Sequence, residues 1–222
     1  MLQTRDSFRQ KWDSAWQSSA FRKKVIIGFC LIVIILSFFP LFFQSIEKRD
    51  GIVLHDWLLN QLPAYDVSLY VFIIIWVSGL LIFVRFVQEP DLLLQAIWAY
   101  ALLCIVRIIS ISMVPLAPPE KLLPIIDPIS NIFYGKKYIT KDLFFSGHTA
   151  TIFLIFLCLR KKADKVLSLI GTIIVGILLL IQHVHYTIDV IAAPFFTYGV
   201  YLAAKKMVVG IGQEPDHAKV DI

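Results

Sequence analysis

Two short stretches of this sequence hold the residue types from which phosphoryl chemistry is built. One reads Asp142-Leu-Phe-Phe-Ser146-Gly147-His148-Thr149 and the other His185-Tyr186-Thr187-Ile188-Asp189-Val190. In the first, Ser146 has the type and place of a helix N-cap, and Gly147 lets a ligand approach the backbone. His148 falls in the first helical turn, where unsatisfied N–H groups and the helix dipole favour an anion such as phosphate. In the second, His185 and Asp189 stand four apart, which on a helix puts them on one face. The carboxylate can then accept the proton of one imidazole nitrogen and leave the lone pair of the other free. An imidazole so held can attack phosphorus and form a phosphohistidine, while His148 protonates the leaving oxygen and later deprotonates an acceptor hydroxyl. A third residue, Arg107, stands amid Ile and Val, and the partner expected of it is a phosphate or a carboxylate.

Each fragment alone also has an ordinary reading. Ser-Gly-His-Thr is a common helix start, His-x-x-x-Asp a common helical pair, and an arginine near a helix end can snorkel to the interface. Their joint occurrence favours a site. His183 fits support of the site and simple packing equally, Lys141 is expected to be solvated, and Pro194 to kink the helix that contains it.

The elements that must position these residues follow from composition. Of 222 residues, 58% are hydrophobic and only 17% charged, with a mean hydropathy of +0.76. That excludes a disordered chain, a collagen-like fibre and a soluble domain of ordinary composition. Six apolar windows, residues 25–43, 67–86, 92–114, 143–159, 166–184 and 188–209, reach or approach the roughly 20 residues that cross about 30 Å of hydrocarbon. They are continuously apolar rather than alternating, so no spanning strand competes. The expectation is an all-α bundle of six transmembrane helices. It comprises a basic cytoplasmic or interfacial segment over 1–24, the catalytic domain over 25–209 and a polar tail over 210–222. The first span is expected to be retained, because no small-residue cleavage site follows it.

The net charge of +5 is less informative than where the charges lie. With the N-terminus inside, the inner segments carry fourteen Lys and Arg, and the outer ones carry six: Lys48, Arg49, Lys121, Lys136, Lys137 and Lys141. Both termini are therefore expected in the cytoplasm. That orientation also brings Arg107, His148, His185 and Asp189 to the same non-cytoplasmic side, a convergence independent of the charge count. Phe8, Trp12 and Trp16 recur at helical spacing among basic and polar residues, which fits either a helix lying in the headgroup layer or a frayed basic tail. Cys30, Cys104 and Cys158 all fall inside apolar runs, so neither a disulfide framework nor a metal site is expected.

At these residues the sequence resembles the sphingomyelin synthase branch of the phosphatidic acid phosphatase, or lipid phosphate phosphatase, superfamily. That branch carries Gly-Asp-x-x-x-Ser-Gly-His-Thr and His-Tyr-Thr-x-Asp-Val elements, matched here by Asp142 with Ser146-Gly147-His148-Thr149 and by His185-Tyr186-Thr187-Ile188-Asp189-Val190. Leu54-His55-Asp56 through Leu62-Pro63 is similar to its Leu-Pro-Asp segment, and Arg107 through Leu116-Ala117-Pro118-Pro119 to its Arg followed by Leu-Pro-x-Pro. The similarity runs over residues 54–201. Thr140-Lys141 stand where the branch has Cys-Gly, and the extended N-terminal region of some members has no counterpart here. The classical phosphatase branch has an Arg six residues before the second His, and Leu179 takes that position.

The resemblance implies a six-helix fold with a triad of His148, His185 and Asp189 on the exoplasmic side, no metal and no cofactor. It implies transfer of a phosphocholine or phosphoethanolamine headgroup from a glycerophospholipid donor to ceramide or a diacylglycerol-like acceptor. Arg107, Asp142, Ser146, Gly147 and Tyr186 are the residues expected to bind substrate or phosphate. Two alternatives stand beside it: a lipid phosphate phosphatase with water as acceptor, and a non-catalytic lipid-binding relative. No nucleic acid partner is expected. A bacterial inner membrane is favoured as host over a secretory-pathway membrane because the chain is compact.

Overall fold

The computed structural model describes residues 2–125 and 139–209. Lys136, Lys137 and the tail from Gly210, including Lys219, lie outside the described residues, so part of the outer and inner charge count does too. The helices are α1 (Leu2–Gln17), α2 (Ser19–Lys48), α3 (Trp57–Gln61), α4 (Ser68–Gln88), α5 (Pro90–Met113), α6 (Gly147–Cys158), α7 (Lys162–Ile181) and α8 (Thr187–Val209). Among the described residues no sheet occurs, and the β pairing is a single parallel bridge between Ile52 and Leu116.

The centre of the bundle is α5, α6 and α8, with α7 against α6 and α4 against α7. Ala99, Ala150, Ala193 and Ala204 are fully buried in this core, and small side chains there let the helix backbones approach closely. Helix α2 is attached to α5, where Phe39, Phe43 and Ile46 pack on Ala101, Cys104 and Ile111. Large apolar side chains also face outward, including Ile34 at 65%, Leu80 at 65% and Phe195 at 74% exposure. In water so much exposed apolar surface would drive association, whereas in hydrocarbon it is the ordinary surface of a spanning helix.

Five helices, α2, α4, α5, α7 and α8, are long and apolar enough to cross a membrane, which fits a multi-pass membrane protein. The fourth expected window behaves differently. It contains a helix of 12 residues, α6, or about 18 Å at the usual rise. Leu143 to Ser146 stay outside the helix because their backbone is engaged sideways. The Phe144 carbonyl accepts from Ser110 Oγ at 3.0 Å, the Phe145 carbonyl from Arg107 Nε at 3.3 Å, and the Ser146 N–H donates to the Asp189 carbonyl at 3.1 Å.

The bundle has two chemically distinct ends. At one, α1 lies against the start of α5, with Trp12 Nε1 donating to the Val87 carbonyl at 2.9 Å and Trp16 edge-on to Phe21 at 5.9 Å. Phe8, Trp12 and Trp16 all fall on the helix α1. Arg85 makes two hydrogen bonds to Asp164 at the same end, at 2.6 and 3.0 Å, and Lys24 Nζ donates to the Met207 carbonyl at 2.7 Å. The opposite end gathers the loops after α2, α3, α5 and α7 and the starts of α6 and α8.

Candidate active site

The site end is built by helix terminations. Helix α7 stops at Ile181, three residues short of the expected window. The His183 N–H donates to the Leu180 carbonyl at 3.0 Å and the Val184 N–H to the Leu179 carbonyl at 3.1 Å, the paired bonds of a Schellman turn. His183 occupies its left-handed position with φ 54°, where glycine is the usual residue. Its ring Nε2 lies 3.1 Å from the Leu62 carbonyl. The residue left open between support and packing thus terminates a helix.

Because α7 ends there, His185 lies in the turn before α8 rather than on a helix. The expected pairing with Asp189 nevertheless occurs by another route. Asp189 is the third residue of α8, and its Oδ2 accepts the Tyr186 N–H at 3.0 Å, the reach-back of an acidic residue to the N-cap amide that is half of a capping box. His185 Nδ1 lies 3.4 Å from the same oxygen. His185 is 2% and Asp189 0% exposed. Among the described residues Asp189 Oδ1 is buried without a hydrogen-bond partner.

The head of α8 is held from outside by Asp56. This residue caps α3 through the Leu59 N–H at 3.0 Å and also accepts from the Thr187 N–H at 2.6 Å and the Thr187 hydroxyl at 2.9 Å. Burial pushes the Asp56 carboxyl up, but the hydrogen bonds from Leu59, Thr187 and Leu58 outweigh it and hold the group below its ordinary value. The Tyr186 hydroxyl accepts from the Leu54 N–H at 3.2 Å and donates to the Ala117 carbonyl at 2.9 Å. Asp56 and Tyr186 thereby join the loops before α3 and after α5 to the start of α8.

On the α6 side, Ser146 is fully buried and caps the helix, its Oγ 3.4 Å from the Thr149 N–H and 3.1 Å from the Thr149 hydroxyl. Arg107, 8% exposed, forms an ion pair with Asp142. Its guanidinium packs against Gly147: a Cβ built there would stand 2.6 Å from Arg107 Cζ, so any other residue would displace the end of the arginine. A cation therefore sits at the positive end of a helix dipole. Asp142 offsets part of that charge, and the position suits a further anion. Arg107, Asp142, Gly147, His148 and Thr151 line a cavity of about 220 Å³, with Phe39, Ile75 and Leu103 on its apolar side.

The structure thus sorts the expected site residues into three groups. Arg107, Asp142, Gly147 and His148 share the cavity. His185 and Asp189 pair at the head of α8, which the Ser146–Asp189 main-chain bond ties to the head of α6. Ser146 and Tyr186 are buried with their hydroxyls engaged in holding the loops. Among the described residues no cluster of three or more metal-ligating side chains occurs. Two supporting residues escaped sequence reasoning. Glu47, at the end of α2, accepts from the Thr140 and Lys141 N–H groups at 3.0 and 3.2 Å. Lys141, expected in solvent, donates to the Glu47 carbonyl at 3.0 Å. Gln182, 0% exposed, donates to Ser68 Oγ at 2.7 Å and to the Pro124 carbonyl at 3.2 Å. The departure Thr140-Lys141 was visible in the sequence, but its partner lies some ninety residues upstream.

Residues 141–206 match the family model described as PAP2 superfamily C-terminal. The match spans under a third of the chain and contains both histidine elements, α6, α7 and most of α8. It supports the PAP2 superfamily, whereas Arg107 and everything before it lie outside the match. No curated protein matches the chain.

Proposed function

We propose that this protein is an integral-membrane lipid phosphotransferase of the sphingomyelin synthase type. It moves a phosphocholine- or phosphoethanolamine-type headgroup from a glycerophospholipid to ceramide or a similar lipid alcohol. The observation that carries the reading is Arg107 packed against Gly147 at the head of the helix that bears His148, in a cavity with apolar walls. A buried cation, helix-terminal N–H groups and an ionisable imidazole together suit a phosphodiester.

In this reading the donor phosphate lies between Arg107 and the start of α6. His185, its Nδ1 directed to Asp189, attacks phosphorus through Nε2. The bond from phosphorus to the glycerol oxygen breaks, His148 protonates that oxygen, and diacylglycerol leaves. The acceptor alcohol then loses its proton to His148 and attacks the phosphohistidine, which restores His185. Asp189 stabilises the imidazolium, and its unpartnered Oδ1 strengthens that effect in a dry environment. Asp142 balances Arg107 and faces the same cavity. The superfamily match supports phosphatase-type or phosphotransferase-type chemistry. The transferase branch rests on the Asp-x-x-x-Ser-Gly-His-Thr and His-Tyr-Thr-x-Asp-Val elements and on Leu179, buried in the core where the phosphatase clamp would stand.

Membranes containing the protein, given a headgroup-labelled phospholipid and a short-chain fluorescent ceramide, test the reading. Label in a new lipid is the expected result. Label released into water would assign a phosphatase instead, and neither product would leave a lipid-binding relative. The proposed orientation, six crossings with both termini cytoplasmic and the site outside, is tested by cysteines placed at Lys121 and Lys162. An impermeant maleimide should label the first and spare the second in sealed cells.

A further inference from the structure

The lining of the cavity beside Arg107 changes character along the helices, and that change carries information about the substrate. Along α5 its lining residues are Arg107, Cys104, Leu103 and Tyr100, a stripe at spacings of three and four that runs two turns, or about 10 Å, from the guanidinium into the bundle. On α6 the lining passes from Gly147 and His148 to Thr151 one turn deeper. The pocket is thus polar at the end of the bundle and apolar towards its middle. Its side walls are Phe39 on α2 and Ile75 on α4. Both helices pack on α5, yet among the described residues they hardly touch each other. The groove over α5 is therefore flanked, and not closed, by two spanning helices.

We infer that this furrow between α2 and α4 binds one acyl chain of the lipid whose phosphate lies at Arg107, and that it is the lateral route by which that lipid enters. This rests on the function proposed above and adds the tail to the headgroup. The occupant follows from the gradient. A free phosphate or a water-soluble phosphodiester would need only the polar end, and burying the apolar stripe requires a hydrocarbon tail joined to the anion. Ile75 is half-buried at the wall, so its size sets the width of the furrow.

The full chain in bilayer nanodiscs, with phosphatidylcholine carrying a diazirine at the end of one acyl chain, provides the test. Photolysis should place adducts around Tyr100 and Ile75, and excess unlabelled phosphatidylcholine should compete them away. Ile75→Trp should lower them about tenfold, as loss of burial of roughly two methylenes would. The outward-facing substitution Ile173→Trp on α7 should leave them unchanged. Should Ile75→Trp fail to insert, Ile75→Ala serves: it should keep the adducts and increase labelling by a branched chain. Adducts spread over outward faces without competition, or adducts at Tyr100 indifferent to every change at Ile75, would overturn the inference. Competed adducts in a protein that turns over no lipid would keep the furrow and reject phosphotransfer. Turnover with no adducts in the furrow would do the reverse.

Discussion

The main-chain N–H of Ser146 donates to the main-chain carbonyl of Asp189 at 3.1 Å, with both side chains fully buried. One hydrogen bond therefore joins the residue that starts α6 to a residue in the first turn of α8. His148 follows the first by two positions and His185 precedes the second by four. The registration is made by main-chain atoms and uses neither histidine side chain.

His185→Ala and His148→Ala should each abolish lipid turnover per folded, inserted molecule in the labelled-headgroup assay, and His185→Ala should also lower the unfolding temperature, because it empties a buried site and leaves the Asp189 carboxylate without its imidazole. Asp189→Asn should retain the fold but lower turnover by a factor on the order of 10³–10⁴, the size seen when an imidazole loses its orienting carboxylate. An unchanged rate in His185→Ala would reject the phosphohistidine route.

Gly147→Ala should act through Arg107. The added methyl would overlap the guanidinium, so the arginine must move off the head of α6. The expected cost is about 1–3 kcal/mol in stability, as for other overpacked sites, with a larger proportional loss in turnover than in unfolding temperature. Arg107→Lys should not rescue it, because a point charge does not reproduce the contacts of a planar guanidinium.

Asp56→Asn should loosen the site end. It weakens hydrogen bonds to Leu59 and Thr187, each worth about 0.5–1.5 kcal/mol or somewhat more when charge-assisted. In the parent protein the Asp56 carboxyl is held below its ordinary value. Its contribution to stability is therefore fully present above about pH 4 and is lost as the pH falls through the depressed folded value. A stability profile of parent and Asp56→Asn should show a constant gap from neutral pH down to about pH 4 that narrows below it.

His183→Gly relieves the Cβ penalty of the left-handed position at the end of α7, worth about 1 kcal/mol, but deletes a buried ring and its bond to the Leu62 carbonyl, so it should be less destabilising than a β-branched residue at the same place. His183→Val should destabilise. Equal unfolding temperatures for the two variants would contradict the terminating role.

Arg85 and Asp164 lie at the opposite end of the bundle. Asp164→Ala leaves a half-buried arginine without its partner and should lower stability by up to about 3 kcal/mol, with turnover per folded molecule unchanged. This separates effects on the bundle from effects on the site.

Much of the architecture is legible along the chain. Apolar run length alone yields five of the long helices, because the cost of leaving backbone groups unpaired in hydrocarbon forces such runs into helices. The Ser146 cap and the likeness of the two histidine elements to the matched family are equally local, since a cap and a short motif are short-range patterns. Helix ends are less legible. Windows of hydropathy carried the fourth helix back to residue 143 and the fifth forward to 184, whereas the structure stops them at Gly147 and Ile181, where specific hydrogen bonds take the backbone away.

What residue type and spacing determined by themselves is the inventory: a membrane-embedded helical chain, two imidazoles, a carboxylate, an arginine and a glycine in order. What only the tertiary structure decided is how they meet. His185 and Asp189 pair across a helix start rather than along a helix, Arg107 rests on Gly147, and Glu47 and Asp56 anchor loops far from them in sequence. Hydropathy and periodicity report the average environment of a segment over many residues. Contacts such as these depend on single atoms brought together by helices distant in the chain, and only the packed bundle specifies them.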